Sequence, residues 1–231
     1  DAMPGSSRSA IKMQASSNTV TECYISNPSG DAYLNPGGSS NRVSRSTISS
    51  NGANASAYHD LASYNIVSGS LLLNPSGYGA KLQGANAILL LSTVTSATAA
   101  YPAVHITGSS NTILDSYVQG STAVVVSGST GTVIGGSVLV ATNTFGRALV
   151  LSDGSVGLTL STSTLMGGTQ GMGLYVSTGN TGNLFLSTNV VTQARFGVVI
   201  DTQASASIWI ASMTFYGLSQ GATAINFGGN V

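Results

Sequence analysis

The acidic residues of this 231-residue sequence are the side chains best suited to bond-breaking chemistry, and they are few. Glycoside hydrolases need at least two carboxylates close together, one to donate a proton and one to activate water or attack the sugar. The acidic residues are Asp1, Glu22, Asp31, Asp60, Asp115, Asp153 and Asp201. Because they are spread along the chain, we predict no catalytic residues and no metal ligands.

Four charged residues beside two apolar strands form the best candidate for a binding site. Arg147 precedes the segment Leu149-Val150-Leu151, and Asp153 follows it. Arg195 and Asp201 flank the segment Val198-Val199-Ile200 in the same way. We expect these four side chains to face one edge of two adjacent coils, where salt bridges that hold the loops are the favoured interpretation. A site that binds a carbohydrate or an acidic group is the alternative, and these four residues are its candidates.

Two aromatic residues complete the predicted ligand-binding set. Trp209 lies between Ile208 and Ile210, so strand alternation points its ring outward, where an indole can stack on a sugar. Packing under the C-terminal loop is the alternative for Trp209. Tyr175 takes an outward position on its strand. The full set is Arg147, Asp153, Tyr175, Arg195, Asp201 and Trp209.

The remaining reactive residue types predict no metal or cofactor site. The two histidines and the one cysteine make no recognisable zinc set, and no cofactor is predicted. His59 and Asp60 are expected on a polar loop, residues 49–64, without a third partner. Cys23 stands where other copies of the repeat carry a small residue, so we expect a packed core thiol.

A repeated unit organises the sequence: an apolar residue, two free positions, a small residue, one free position and a second apolar residue. Its copies begin at Val20, Val43, Ile66, Leu89, Ile113, Val133, Leu160, Leu186 and Ile210. The steps between copies range from 20 to 27 residues, a spacing typical of a solenoid. We expect these first residues to form an aliphatic stack inside it. An asparagine precedes several copies, at Asn18, Asn41, Asn65, Asn86 and Asn111, and we interpret this row as structural.

A second strand with alternating apolar positions follows most copies, as in Val104-His105-Ile106 and Val124-Val125-Val126. Its outward positions are predicted to be Lys12, Tyr33, Lys81, His105, Val125, Val150, Tyr175, Val199 and Asn226. The later, apolar part of this column would be an exposed stripe suited to self-association. The alternative is that β-branched residues simply favour strands. Glu22 and Arg45 share one position of neighbouring repeats, so we expect a surface ion pair.

Composition excludes several classes of protein. Charged residues make up 6% of the chain and the net charge is zero, which argues against a nucleic-acid partner. No apolar run approaches the roughly 20 residues of a membrane-spanning helix. An apolar content of 42% argues against disorder. Glu and Lys are scarce while Ser, Thr, Gly and Val abound, so we predict an all-β fold.

These coils resemble the right-handed parallel β-helix of the pectin-lyase-like superfamily, over nearly the whole chain. The resemblance implies a single domain, residues 1–231, of about nine to ten coils of 20–27 residues. It implies three short parallel sheets. A left-handed solenoid of six-residue repeats is the alternative. The chain is expected to be a segment of a longer protein, and residues 1–7 are interpreted in part as a cloning remnant.

The family includes polysaccharide lyases, glycoside hydrolases, tailspikes, and adhesins without enzymatic activity. Because carboxylates are few, the favoured function is a non-catalytic, secreted or cell-surface domain that is structural or adhesive. Its expected partners are a polysaccharide or cell-surface glycan, or copies of itself joined through the apolar stripe or uncapped ends. The alternative is a carbohydrate-active enzyme, which requires carboxylates to converge within about 5–10 Å in one chain or between chains.

Overall fold

The computed structural model describes residues 8–201 and 204–228. This part of the chain contains strands and turns but no helix, and therefore no helix that could span a membrane. Its strands pair in parallel into sheets of ten, nine and nine strands. Each coil adds one strand to each sheet in turn, so the all-β, parallel β-solenoid is confirmed, with about nine turns. The right-handed winding stays an expectation from the general chirality of parallel connections.

The first sheet contains β1 (Ile11–Lys12), β4 (Tyr33–Asn35), β7 (Ser56–Asp60), β10 (Tyr78–Leu82), β13 (Val104–Ile106), β16 (Val124–Ser127), β19 (Arg147–Ser152), β22 (Met172–Val176), β25 (Phe196–Ile200) and β28 (Thr223–Phe227). The second sheet contains β2 (Thr19–Thr21), β5 (Arg42–Ser44), β8 (Ile66–Ser68), β11 (Ile88–Leu90), β14 (Thr112–Leu114), β17 (Thr130–Gly135), β20 (Val156–Ser161), β23 (Thr181–Ser187) and β26 (Ser205–Ala211). The third sheet contains β3 (Tyr24–Asn27), β6 (Thr47–Ser50), β9 (Leu71–Asn74), β12 (Thr93–Ser96), β15 (Tyr117–Gly120), β18 (Val138–Ala141), β21 (Thr164–Met166), β24 (Val190–Thr192) and β27 (Thr214–Tyr216).

Alternation along these short strands decides which side chains enter the core. The inward stack of the second sheet is Val20, Val43, Val67, Leu89, Ile113, Ile134, Leu160, Leu186 and Ile210. The sequence repeat predicts Ile66 and Val133 at two of these positions, and there it is wrong. A shift of one residue turns a side chain to the opposite face of the sheet. In Ile66-Val67 and Val133-Ile134 two apolar residues are adjacent, so either one could have been the inward residue.

One residue in each coil bends the chain between the second and third sheets with a left-handed backbone. The φ angle lies between 46° and 59° at Glu22, Arg45, Gly69, Leu91, Asp115, Gly136, Thr162, Thr188 and Ser212. These residues stack along the outside of the bend. Within this row the predicted ion pair is confirmed, because Arg45 Nη2 lies 2.8 Å from Glu22 Oε1 and both side chains are exposed.

The next residue of each coil points inward and forms what we call the serine ladder. Its acceptors are Ser46, Ser70, Ser92, Ser116, Ser137, Ser163 and Asn189, each bonded by a backbone N–H of the preceding coil. Each of these serine hydroxyls also donates to the carbonyl two residues earlier, as Ser92 does to Leu90 at 2.8 Å. The small-residue slot of the repeat therefore pairs buried backbone groups that would otherwise lack partners.

An asparagine row holds the turn before the second sheet. Asn41 and Asn65 accept the backbone N–H of Asn18 and Asn41 at 2.8 Å, and Asn111 accepts that of Ala87 at 2.7 Å. The predicted structural row is confirmed for these asparagines. Asn86 is the exception, since Ala87 occupies the inward position and Asn86 takes a left-handed φ of 57°.

Residues 49–64 form a regular coil rather than the predicted polar excursion. Strand β7 lies within them, with Tyr58 and Asp60 buried at 2% and 0% exposure and His59 facing outward. Tyr33, predicted to face outward, is buried and stacks on Tyr58 with ring centroids 5.1 Å apart. Polar and aromatic residues at inward positions hide the apolar alternation that reveals the other strands.

The prediction of a packed core thiol at Cys23 is wrong, because the residue is exposed. Cys23 holds the serine-ladder position of its coil, and its thiol donates to the Thr21 carbonyl at 3.2 Å. Its coil contains β2 and β3, which are edge strands of their sheets within the described residues. Among the described residues, no further strand pairs with β2 or β3 on the N-terminal side, so Cys23 is left exposed. Residues 1–7, with Asp1 and the expected cloning remnant, lie outside the described residues.

Candidate functional site

Three of the predicted ligand-binding residues come together on the outer face of the first sheet. The guanidinium carbon of Arg147 lies 4.6 Å from the centre of the Tyr175 ring, a cation–π contact. The Tyr175 hydroxyl donates to Asp201 Oδ2 at 3.5 Å, the outer limit of a hydrogen bond. The strands of Arg147 and Asp201 are not neighbours, since β22 lies between β19 and β25. The expectation of two adjacent coils is therefore wrong, and Tyr175 bridges the gap.

Asp153 and Arg195 point to other partners. Asp153 accepts hydrogen bonds from the hydroxyls of Ser127 at 2.5 Å and Ser152 at 3.1 Å. These two bonds, that from Ser127 most of all, lower the pKa of Asp153. The Arg195 guanidinium lies over the Phe196 ring at 5.1 Å and lines a recess of about 480 Å³. The structure therefore does not bring the two aspartates and two arginines into one site.

Trp209 lies on the second sheet, away from the other predicted residues. Its side chain is 63% exposed and stacks on Phe185 of the neighbouring coil, with ring centroids 6.4 Å apart and planes at 22°. The ring is exposed, in agreement with the alternation of β26. The six predicted residues thus occupy several places on the solenoid rather than one.

The outward column of the first sheet differs from its prediction in two ways. Leu34 takes the place of Tyr33, and His59 joins the column between Leu34 and Lys81. In its later part Val150 and Val199 are 7% and 0% exposed, so the predicted exposed apolar stripe is wrong.

The earlier part of this column carries a cluster of polar side chains. His59, Lys81 and His105 are register partners on β7, β10 and β13, and we call them the polar row. Adjacent strands lie about 4.8 Å apart, so the three side chains leave the sheet side by side. All three are partly buried. The row gathers three basic side chains of a chain that has few charges.

His59 is fixed at both ring nitrogens. Its Nδ1 lies 2.9 Å from Asp31 Oδ2, and its Nε2 lies 2.6 Å from Gln83 Oε1. Asp31 also accepts the Ser56 N–H at 2.6 Å. Burial raises the pKa of Asp31, but the hydrogen bond and charge of His59, the Ser56 N–H and the charge of Lys81 together outweigh burial, so the net pKa is lowered. Which ring nitrogen donates depends on the tautomer of His59 and on the orientation of the Gln83 amide.

Lys81 lies against a group of aromatic side chains, Tyr78, Tyr101 and His105, which we call the aromatic wall. Its ammonium is 4.1 Å from the centre of the Tyr78 ring and 3.4 Å from the Asn54 carbonyl oxygen. Burial lowers the pKa of Lys81, although the charge of Asp31 acts in the opposite direction. A partly dehydrated ammonium over a ring face is a stronger electrostatic partner than one in bulk water.

Two tyrosines and His105 complete this wall. Tyr78 stacks on His105 with centroids 5.7 Å apart and planes at 13°, and Tyr101 tilts against Tyr78 at 4.8 Å. The Tyr101 hydroxyl donates to Asn54 Oδ1. Burial is the largest cause that lowers the pKa of His105, followed by the charge of Lys81. Aromatic faces beside a few charged and amide groups are a common lining of ligand-binding sites.

Sequence reasoning missed most of this cluster. Lys81 and His105 were identifiable as outward residues, but His59 was assigned to a loop. A single step of the repeat back from Lys81 leads to position 59, and that signal could have found it. Asp31 and Tyr101 lie in turns, which have no periodicity, so only the fold brings them to the row.

The described carboxylates outside the polar row differ in their surroundings. No group of three or more His, Cys, Asp or Glu side chains able to hold a metal occurs in residues 8–201 and 204–228. Asp60 is buried, where it accepts hydrogen bonds from Asn65 at 2.9 Å and Asn35 at 3.2 Å. Asp115 lies in the bend after the second sheet.

No family profile and no curated protein sequence matches this chain. Among solved structures it is similar to the Dettilon tailspike protein (gp208), with a TM-score of 0.41 and 10% identity. That match covers 94% of this chain and 60% of the tailspike chain, so this chain spans less than two thirds of the tailspike's length. HetL, a pentapeptide repeat protein involved in heterocyst differentiation regulation from Nostoc sp. strain PCC 7120, matches with a TM-score of 0.28 and 11% identity, covering 95% of this chain and 94% of HetL. Neither similarity is close enough to indicate a function.

Proposed function

We propose that this chain is a non-catalytic, secreted or cell-surface β-solenoid domain that binds a glycan on the outer face of its first sheet. The observation that carries the proposal is the polar row together with Tyr78 and Tyr101. A sugar ring packs its C–H face on an aromatic ring, and its hydroxyls pair with charged and amide groups. The aromatic wall supplies the ring faces and the polar row supplies the charged groups, all within three coils.

The hydrogen-bond partners of His59 and of the aspartates favour binding without cleavage. The Asp31 carboxylate beside His59 resembles the pair that orients a general base. However, both ring nitrogens of His59 are already bonded, so neither is free to take a proton from a ligand. Asp153 and Asp201 have separate partners. A carbohydrate-active enzyme is the alternative, and it would need carboxylates from another chain.

The proposal includes a secreted or cell-surface location and a pectin-lyase-like lineage for this chain. A neutral surface rich in Ser, Thr and Gly fits a secreted or surface-displayed protein, and the coil lengths support a pectin-lyase-like lineage. Self-association through the solenoid ends stays a prediction, whereas the apolar stripe no longer supports it.

An array of immobilised oligosaccharides tests the proposal, read both for retained protein and for release of shortened sugars. We expect retention without release, and loss of retention in Tyr101→Ala. Tyr24→Ala is the matched control, because Tyr24 is an exposed tyrosine on the third sheet. Release of shortened sugars would favour the enzyme. Retention that Tyr101→Ala and Tyr24→Ala leave equally intact would place the site elsewhere.

A further inference from the structure

His59 and His105 occupy equivalent outward positions on either side of Lys81, but their hydrogen bonding differs. His59 is bonded at both ring nitrogens. Within the described residues, His105 makes no hydrogen bond through either nitrogen, and its contact is the stacking on Tyr78. His105 is the one of the two histidines with ring nitrogens left for a ligand.

The ammonium of Lys81 is also left largely unused. In the part of the chain that the structure describes, its hydrogen bond is the 3.4 Å contact with the Asn54 carbonyl, and it has no ion-pair partner. Asp31, whose charge acts on Lys81, is already bonded to His59 and Ser56. An ammonium has three N–H donors, so at least two are available. A half-buried cation without a carboxylate partner is a group that an incoming anion would stabilise.

We propose that this site, taken as the glycan site proposed above, selects acidic saccharides whose carboxylate or sulfate lies between Lys81 and His105. Lys81 and His105 are register partners on adjacent strands, and both side chains contact the Tyr78 ring. The sugar ring that carries the anion packs on Tyr101, at the edge of the aromatic wall. Binding strengthens as the pH falls, because protonated His105 adds a second charged donor.

The groups that face His105 determine this pH dependence. Tyr78 stacks on it and Lys81 is its register partner, both from β10, and Val125 is its register partner on β16. The charges of Lys81 and of Asp153, in the turn after β19, act on it, and Tyr101 packs on the Tyr78 ring. Burial and the charge of Lys81 lower the pKa of His105, and Asp153 acts against them. An anion between Lys81 and His105 favours the charged ring, so binding takes up a proton. Affinity therefore rises as the pH falls through and below the ordinary histidine range.

The test uses matched pairs of immobilised oligosaccharides that differ only in charge, such as glucose against glucuronate oligomers, with sulfated counterparts as a third arm. We expect the acidic member to bind about tenfold more tightly than the neutral one, and Lys81→Met to remove this difference. Lys12→Met is the matched control, because Lys12 is an exposed lysine of the same outward column. Between about pH 7.5 and about pH 5, binding should tighten in the wild type but not in His105→Gln.

Each outcome has a distinct meaning. Equal binding of neutral and acidic members, lost in Tyr101→Ala but kept in Lys81→Met, would overturn the charge selectivity and leave the glycan function standing. Absence of binding to every saccharide would overturn the glycan function and this inference with it. Preference for the sulfated over the carboxylated arm, or the reverse, identifies which anion the site selects. Tightening with acid that persists in His105→Gln would remove His105 from the proposal.

Discussion

The serine ladder and the polar row both place one side chain per coil, yet they use their hydrogen bonds in opposite ways. Inside the solenoid, Ser92 accepts the Ser70 N–H at 3.2 Å and donates to Leu90 at 2.8 Å, so its hydroxyl is fully used. Outside, Lys81 makes one long hydrogen bond and His105 makes none within the described residues. Interior polar groups are satisfied by the chain itself, whereas part of the exterior row is left for a ligand.

This contrast separates stability from binding. A buried donor or acceptor that loses its partner cannot turn to water, so interior substitutions are costly. A half-buried group on the outer face keeps access to water, so its substitution leaves the fold intact. We therefore expect interior variants to lose stability and exterior variants to lose binding.

The largest loss of stability is expected for Asn111→Ala. Asn111 is fully buried, donates to the carbonyls of Gly84 and Gly108 at 2.9 Å, and accepts the Ala87 N–H at 2.7 Å. The variant leaves several backbone groups unpaired, so the free energy of unfolding should fall by about 2–4 kcal/mol. Urea denaturation measures this change.

The matched control for this substitution is Asn183→Ala, at an exposed position of β23. We expect it to change the free energy of unfolding by less than about 0.5 kcal/mol. Equal losses in the two variants would contradict the claim that the interior row stabilises the fold.

The next largest effect depends on pH and arises from Asp60, an interior carboxyl group. Burial raises the pKa of Asp60 to about 6, although hydrogen bonds from Ala62, Tyr58 and Asn65 act against it. The folded chain thus holds a proton that the unfolded chain releases near its ordinary pKa. The free energy of unfolding should therefore fall by about 2–3 kcal/mol as the pH rises from about 4 to about 7.

The variant Asp60→Asn isolates this contribution, because it cannot titrate. His105 acts in the opposite direction, since burial lowers its pKa and its contribution is lost as the pH falls. Both proteins contain His105, so the difference between their stability curves reports on Asp60. A difference that does not vary with pH would contradict the prediction.

The sequence predicts the fold well because apolar alternation repeats at a nearly constant step. Strands such as Val124–Ser127 are evident from valines at inward positions. Strand β7 is not evident, because its inward positions hold Tyr58 and Asp60. The candidate site was predicted less well, since Asp31 and Tyr101 reach the polar row from turns. Stacking of coils, rather than any motif, brings them together.

The smallest of these stability effects is expected for Ser92→Ala, which also separates the two regions most directly. The variant leaves the Ser70 N–H unpaired inside the core, so the free energy of unfolding should fall by about 1–3 kcal/mol. Exposed Ser109 provides the control Ser109→Ala, which should be neutral. Glycan binding by folded Ser92→Ala should equal that of the wild type, while Lys81→Met should lose the preference for acidic glycans without losing stability. A common loss of both properties in either variant would mean that the ladder and the polar row are coupled, and that the exterior site depends on the interior hydrogen bonds beneath it.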